Sequence, residues 1–169
     1  MVKLWLLVGM LLGTGVSQAA TAIESSVSAP VVAVVVSSNA AVAPVSTLAP
    51  NELRLIYWRK QHYWPNGLRI HATNLHAEHP LRLLFSDAVL NSLPNAQTDY
   101  WNGLYFHGVS PPRSLQSEEA VIRYVNDTRG SLGYIDACHV DARVKPILWI
   151  IHHQISTRAP EQLLCSKAN

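Results

Sequence analysis

The run "VVAVVV", residues 31–36, constrains this chain more than any other segment. Its small and β-branched apolar residues, bounded by Pro30 and by "SSN", have the pattern of a strand covered on both faces. Amphipathic segments that could cover it follow. Pro50 suits the first turn of a helix over about 50–59, with Leu53, Ile56 and Tyr57 on one face. "YWPNG" (63–67) reads as a turn and "LRIHA" (68–72) as a short strand. Leu81, Leu84, Phe85, Ala88 and Val89 recur at i, i+3, i+4, i+7 and i+8, the apolar stripe of a helix that opens at Pro80 and ends at "NSLPN". Another helix is expected over about 96–106, presenting Tyr100, Trp101 and Leu104, and then "HGVSPPRSLQS" as a loop. Ser117 is placed to cap a helix running to about Asn126, with Glu118 and Glu119 favourable to its dipole. "SLGYI" (131–135) and "VKPILWII" (144–151) read as strands, the second near a sheet edge because of Pro146. Strands mixed with amphipathic helices predict a three-layer α/β/α domain.

The N-terminus predicts export. "MVK" is a positive n-region, "LWLLVGMLLGTGV" an apolar core too short to span a bilayer comfortably, and "SQA" offers the small residues a signal peptidase reads. The expected organisation is a signal peptide over 1–19, cleaved near Ala19/Ala20, and a flexible leader over 20–29. The domain follows over 30–151 and a C-terminal tail over 152–169, with the periplasm as destination. Loss of Lys3 leaves 12 basic against 11 acidic side chains, a balance that gives no reason to expect nucleic acid as a partner. Cys138 and Cys165 would both enter an oxidising compartment, either as a bridge tying the tail to the domain or as two buried thiols.

The stretch "HATNLHAEHPLRLLF" (71–85) runs from a strand end through a polar loop into a helix. Such junctions hold anions, because the first amides of a helix lack backbone partners. Here the loop carries no glycine and three histidines, so His71, Asn74, His76, His79 and Arg82 are the candidate ligands. His71, His76 and His79 could instead supply imidazoles to zinc or copper, or simply face solvent. No cysteine or carboxylate pair completes a set, so neither a metal nor a cofactor is assigned. His152 and His153 would point to opposite faces of a continuing strand. The aromatic series from Tyr57 to Phe106 reads as core. Motifs of nucleophilic, zinc-hydrolase, dithiol and P-loop chemistry are missing from the sequence, so an enzyme is not expected.

Five segments in order carry a resemblance: "LAPNELRLIYWRKQHYWPNG", "RLLFSDAVL", "DYWNGLYFHG", "PPRSLQSEEAVIRYVNDTRGSLGYI" and "VKPILWI". Over roughly residues 30–150 the chain resembles the periplasmic phosphate-binding protein family, the substrate-binding proteins of phosphate ABC transporters, and especially its short members. The resemblance implies a single lobe of a type II periplasmic-binding-protein-like fold with a mixed sheet. Longer relatives close two lobes on the oxyanion and carry Ser-Gly-Thr-Arg before the equivalent helix. Those positions read "HPLR" here, His79 to Arg82, so the arginine is kept while the hydroxyls and glycine are not. The implied function is an exported solute-binding-like protein that takes phosphate or a similar oxyanion weakly, if at all. The alternative is a single-lobe interaction or sensory accessory protein that has lost its ligand. Its partner would be a membrane transporter, a sensor or a second copy.

Overall fold

"VVAVVV" forms the buried middle of a sheet. The structure, a computed structural model, describes residues 30–165, so the expected signal peptide and leader lie outside the described residues. In chain order, β1 (Val32–Ser37) is followed by α1 (Pro50–Tyr57), β2 (His71–Leu75), α2 (Pro80–Phe85) and α3 (Thr98–Tyr105). Then come β3 (Arg113–Leu115), α4 (Glu118–Asp127), β4 (Ser131–Asp136), β5 (Val144–Ile151) and β6 (Gln154–Ser156). The six strands make one sheet in the order β3-β2-β4-β1-β5-β6. β1 runs antiparallel to β4 and β5, β2 runs parallel to β3 and β4, and β6 pairs antiparallel with β5.

Register assigns the faces. Val34 lies opposite Tyr134 on one side and Leu148 on the other, so these three share a face. There the Tyr134 ring stacks on Phe85 of α2 at 3.9 Å, and Tyr57 of α1 packs on Phe85 at 4.5 Å. The neighbouring Gly133 turns to the opposite face, under α4. A Cβ at Gly133 would stand 2.5 Å from Val121 Cγ1 and 2.6 Å from Thr73 Oγ1, so only glycine lets α4 settle this close. The result is a three-layer α/β/α arrangement on a mixed sheet, with the core on both faces of β1. Ser117 accepts from the Ala120 amide at 3.2 Å and opens α4. Pro146 falls where the β1–β5 register slips, on a stretch of β5 that β6 leaves uncovered, so its missing amide breaks no ladder.

Three local readings are corrected. The strand expected over 68–72 begins at His71 and runs to Leu75. Leu68 and Ile70 spend their backbone groups on a local turn instead: Trp64 N donates to Leu68 O, Ile70 N to His62 O, and Tyr63 bridges to Arg69. Part of the loop expected over 107–117 is β3, a three-residue edge strand that follows the extended Pro111–Pro112 backbone. The chain does not continue straight through His152 and His153. Both have positive φ (47° and 63°) and form the two-residue turn of the β5–β6 hairpin. The long helix is continuous but changes character, with a π-helical turn over Ser86–Leu90 that Asn91 ends in a left-handed conformation. Cys138 and Cys165 are bridged, which fastens the segment after β6 beside the end of β4.

Candidate functional site

The start of α2 has no amide to offer an ion. His79 sits at its cap, where Nδ1 accepts from Leu81 N at 3.2 Å and the carbonyl accepts from Arg82 N and Leu83 N. Pro80 has no N–H. Burial pushes the His79 pKa down, which keeps the imidazole neutral and able to accept. Its outer side shares a hollow with Glu118, Glu119 and Asp141, an unfavourable neighbourhood for an anion. The helix start thus keeps the place of an anion site in the fold but offers few of its donors.

The histidines do not converge either. His76 meets the His79 ring edge-on at 5.3 Å and holds Glu78 at 3.3 Å. His71 stands at the far end of β2, in a different pocket. Among the described residues no group of three or more His, Cys, Asp or Glu is placed to hold a metal ion.

Arg82 and Asn74 do come together. α2 turns Arg82 inward, leaving 7% of the residue exposed, and its Nε and Nη1 are buried without a hydrogen-bond partner among the described residues. Burial lowers its pKa, offset by Tyr134 and Tyr57 beside it. Those phenols are pushed up by burial, and their hydroxyls are committed elsewhere. Tyr57 donates to Thr73 O at 3.0 Å. Tyr134 accepts from Leu75 N at 3.2 Å and donates to Asn74 Oδ1 at 3.3 Å. The last contact fixes the Asn74 amide with its oxygen occupied and its Nδ2 donors left over.

Arg82 and Asn74 border a pocket of about 200 Å³, lined also by Gln97, Trp101, Ser114 and the prolines 94, 111 and 112. Gln97 is locked in place: Nε2 donates to Ser92 O at 2.7 Å and Oε1 accepts from Trp101 Nε1 at 3.2 Å. No carboxylate is among the lining residues. A buried cation, an amide donor and a hydroxyl between apolar walls suit a small anion that accepts several hydrogen bonds. A larger hollow of about 390 Å³ beneath the C-terminal segment, lined by Cys138, His139 and Leu164 among others, also carries Asp136 and holds no unpartnered cation. Gln97, Trp101 and Ser114 were not legible as site residues. Trp101 reads as core, Ser114 falls in a segment that reads as loop, and nothing marks Gln97.

Solved structures share this architecture. An ABC-type phosphate transport receptor from Vibrio cholerae aligns with a TM-score of 0.56 at 23% identity, over 70% of this chain and 46% of that one. The chain shares the fold of phosphate-transport substrate-binding proteins. A putative phosphate ABC transporter substrate-binding protein with bound phosphate from Clostridium perfringens also has a TM-score of 0.56, at 16% identity, over 72% of this chain and 46% of that one. The chain thus aligns with slightly less than half the length of these phosphate-transport structures. No protein-family model and no curated protein sequence matches it.

Proposed function

We propose that this chain is an exported, single-lobe, solute-binding-like protein that takes phosphate or a similar small oxyanion in the Arg82 pocket. The observation that carries the reading is the Arg82 guanidinium, buried with two nitrogens unpartnered beside Asn74 and Ser114. A structural arginine at that depth ordinarily has a carboxylate or carbonyl partner, because an unpaired buried charge is costly. The fold shared with phosphate-transport proteins supports phosphate as the first ligand to try. Two or three charge-assisted hydrogen bonds, each contributing ~1.5–3 kcal/mol before the cost of association, point to roughly millimolar affinity. An opposing lobe would be needed for more.

The histidines contribute no charge to this pocket, so binding should not depend on their protonation. Calorimetric titration of phosphate into the wild type and Arg82→Ala tests the reading, with saturable binding expected only in the wild type. Equal binding by both would show that the ion sits elsewhere. A second reading, a partner-binding lobe without a ligand, draws on α3. That helix buries none of its residues and ends at the exposed Tyr105 and Phe106. Absence of phosphate binding in both proteins, with self-association in sedimentation, would favour it.

A further inference from the structure

At the opposite end of β2 from Arg82, a second pocket of about 180 Å³ gathers cations. We propose that Arg59, Arg69, His71 and Arg113 form a separate site for a ligand with two or more negative charges, of the diphosphate or phosphomonoester class. The two pockets share the Pro111–Pro112 wall, but their charged groups are different. This site does not rest on the Arg82 reading.

The first argument is charge. No Asp or Glu lines the pocket, and among the described residues none of the three arginines is in an ion pair. Two arginines elsewhere are neutralised: Arg143 is clasped by Glu119 and Asp141, and Arg123 lies near Glu119. Three uncompensated guanidiniums around one small cavity repel one another, and a multiply charged anion reverses the sign of that interaction.

The second argument is placement. α1 ends in a Schellman turn, with Arg59 N donating to Ile56 O and Lys60 N to Leu55 O. Arg59 occupies the position where glycine is usual, at φ 56°, and its Nε is buried with no partner among the described residues. The turn thus aims a charged side chain inward from a backbone conformation that disfavours it. Burial and the adjacent Arg69 lower the Arg59 pKa, and burial with Arg69 and Arg59 lowers that of His71. Arg113 lies over the Tyr124 ring, 5.4 Å from its centroid, which holds that guanidinium at the pocket edge. The cavity admits a head group of one or two phosphates, so any larger remainder would project into solvent.

The probe is inorganic pyrophosphate, titrated into the full chain while the His71 imidazole is followed by NMR. The expected result is saturable binding with the His71 pKa moved upward, because an added anion favours the charged imidazole. Arg69→Gln and Arg113→Gln alter exposed residues and should each weaken the binding that moves His71 roughly tenfold or more, the scale of one lost charge-assisted contact. Competition by vesicles containing phosphatidic acid would assign the site to a membrane phosphomonoester, and its absence to a soluble one, the site standing either way. Pyrophosphate binding that leaves His71 unmoved, or that survives both substitutions, would overturn the proposal. So would no binding at millimolar pyrophosphate, and this last result would leave phosphate capture at Arg82 unaffected.

Discussion

Arg82→Met should stabilise the ligand-free protein while removing its response to phosphate. The wild type buries Nε and Nη1 without partners, against the Tyr57, Phe85 and Tyr134 cluster. An unsatisfied buried donor costs about 1–3 kcal/mol. Methionine has a similar reach, carries no donor and packs well against aromatic rings. Some of the gain is given back through imperfect fit, for which overpacking or a small void costs about 1–2 kcal/mol. The net expectation is a gain of roughly 1–3 kcal/mol, or about 3–9 °C in melting temperature for a domain of this size. Urea unfolding followed by circular dichroism measures it, with the midpoint rising and the slope unchanged. Repeated with phosphate at ten times its dissociation constant, the wild type should gain about 1.4 kcal/mol and the variant nothing. A loss of several kcal/mol on Arg82→Met would refute the reasoning, since only a well-partnered guanidinium would leave such a deficit behind.

Other outcomes follow from the same structure. Gly133→Ala forces a methyl against Val121 and Thr73 and should destabilise by about 1–3 kcal/mol in denaturant titration. Arg59→Gly relieves a left-handed arginine and should stabilise by about 0.5–1 kcal/mol, less what the more flexible unfolded chain takes back, while weakening pyrophosphate binding. The hydrogen bond to Glu118 raises the His139 pKa above its ordinary value of 6.5. Its stabilisation is therefore fully present below pH 6.5 and lost as pH rises through the folded-state value. The effect is small because the ring is largely exposed, and melting curves from pH 5 to 9 should lose this component in His139→Gln.

How far the sequence discloses the fold depends on how local the cause is. β1 is legible because six buried positions lie side by side, and α4 because Ser117, two glutamates and an apolar stripe act within one helix. β3 is not, since three residues become a strand only by pairing with β2, which a linear reading cannot see. The 71–85 junction misleads for a related reason. A polar loop before a helix looks like an anion site, yet His79 spends its own nitrogen on the first free amide and Pro80 removes another donor. Arg82 is visible through its place in "HPLR", but its direction is set by packing. The groups that share its pocket, Gln97 and Ser114, arrive from segments far along the chain. The cluster around Arg59 is equally scattered, and its clearest trace in the sequence is an arginine where the helix end would prefer glycine.

The central claim is that an oxyanion touches the buried Arg82 guanidinium, and the arginine Nε–H resonances report this directly. In NMR of the full chain titrated with phosphate, the Arg82 Nε–H signal, identified by its loss in Arg82→Met, should shift along a saturating curve at roughly millimolar concentration, as expected when an anion docks against the guanidinium. The Asn74 side-chain amide should move on the same curve. An Arg82 signal that stays fixed while phosphate saturates resonances elsewhere, or that stays fixed at tens of millimolar phosphate, would contradict the account.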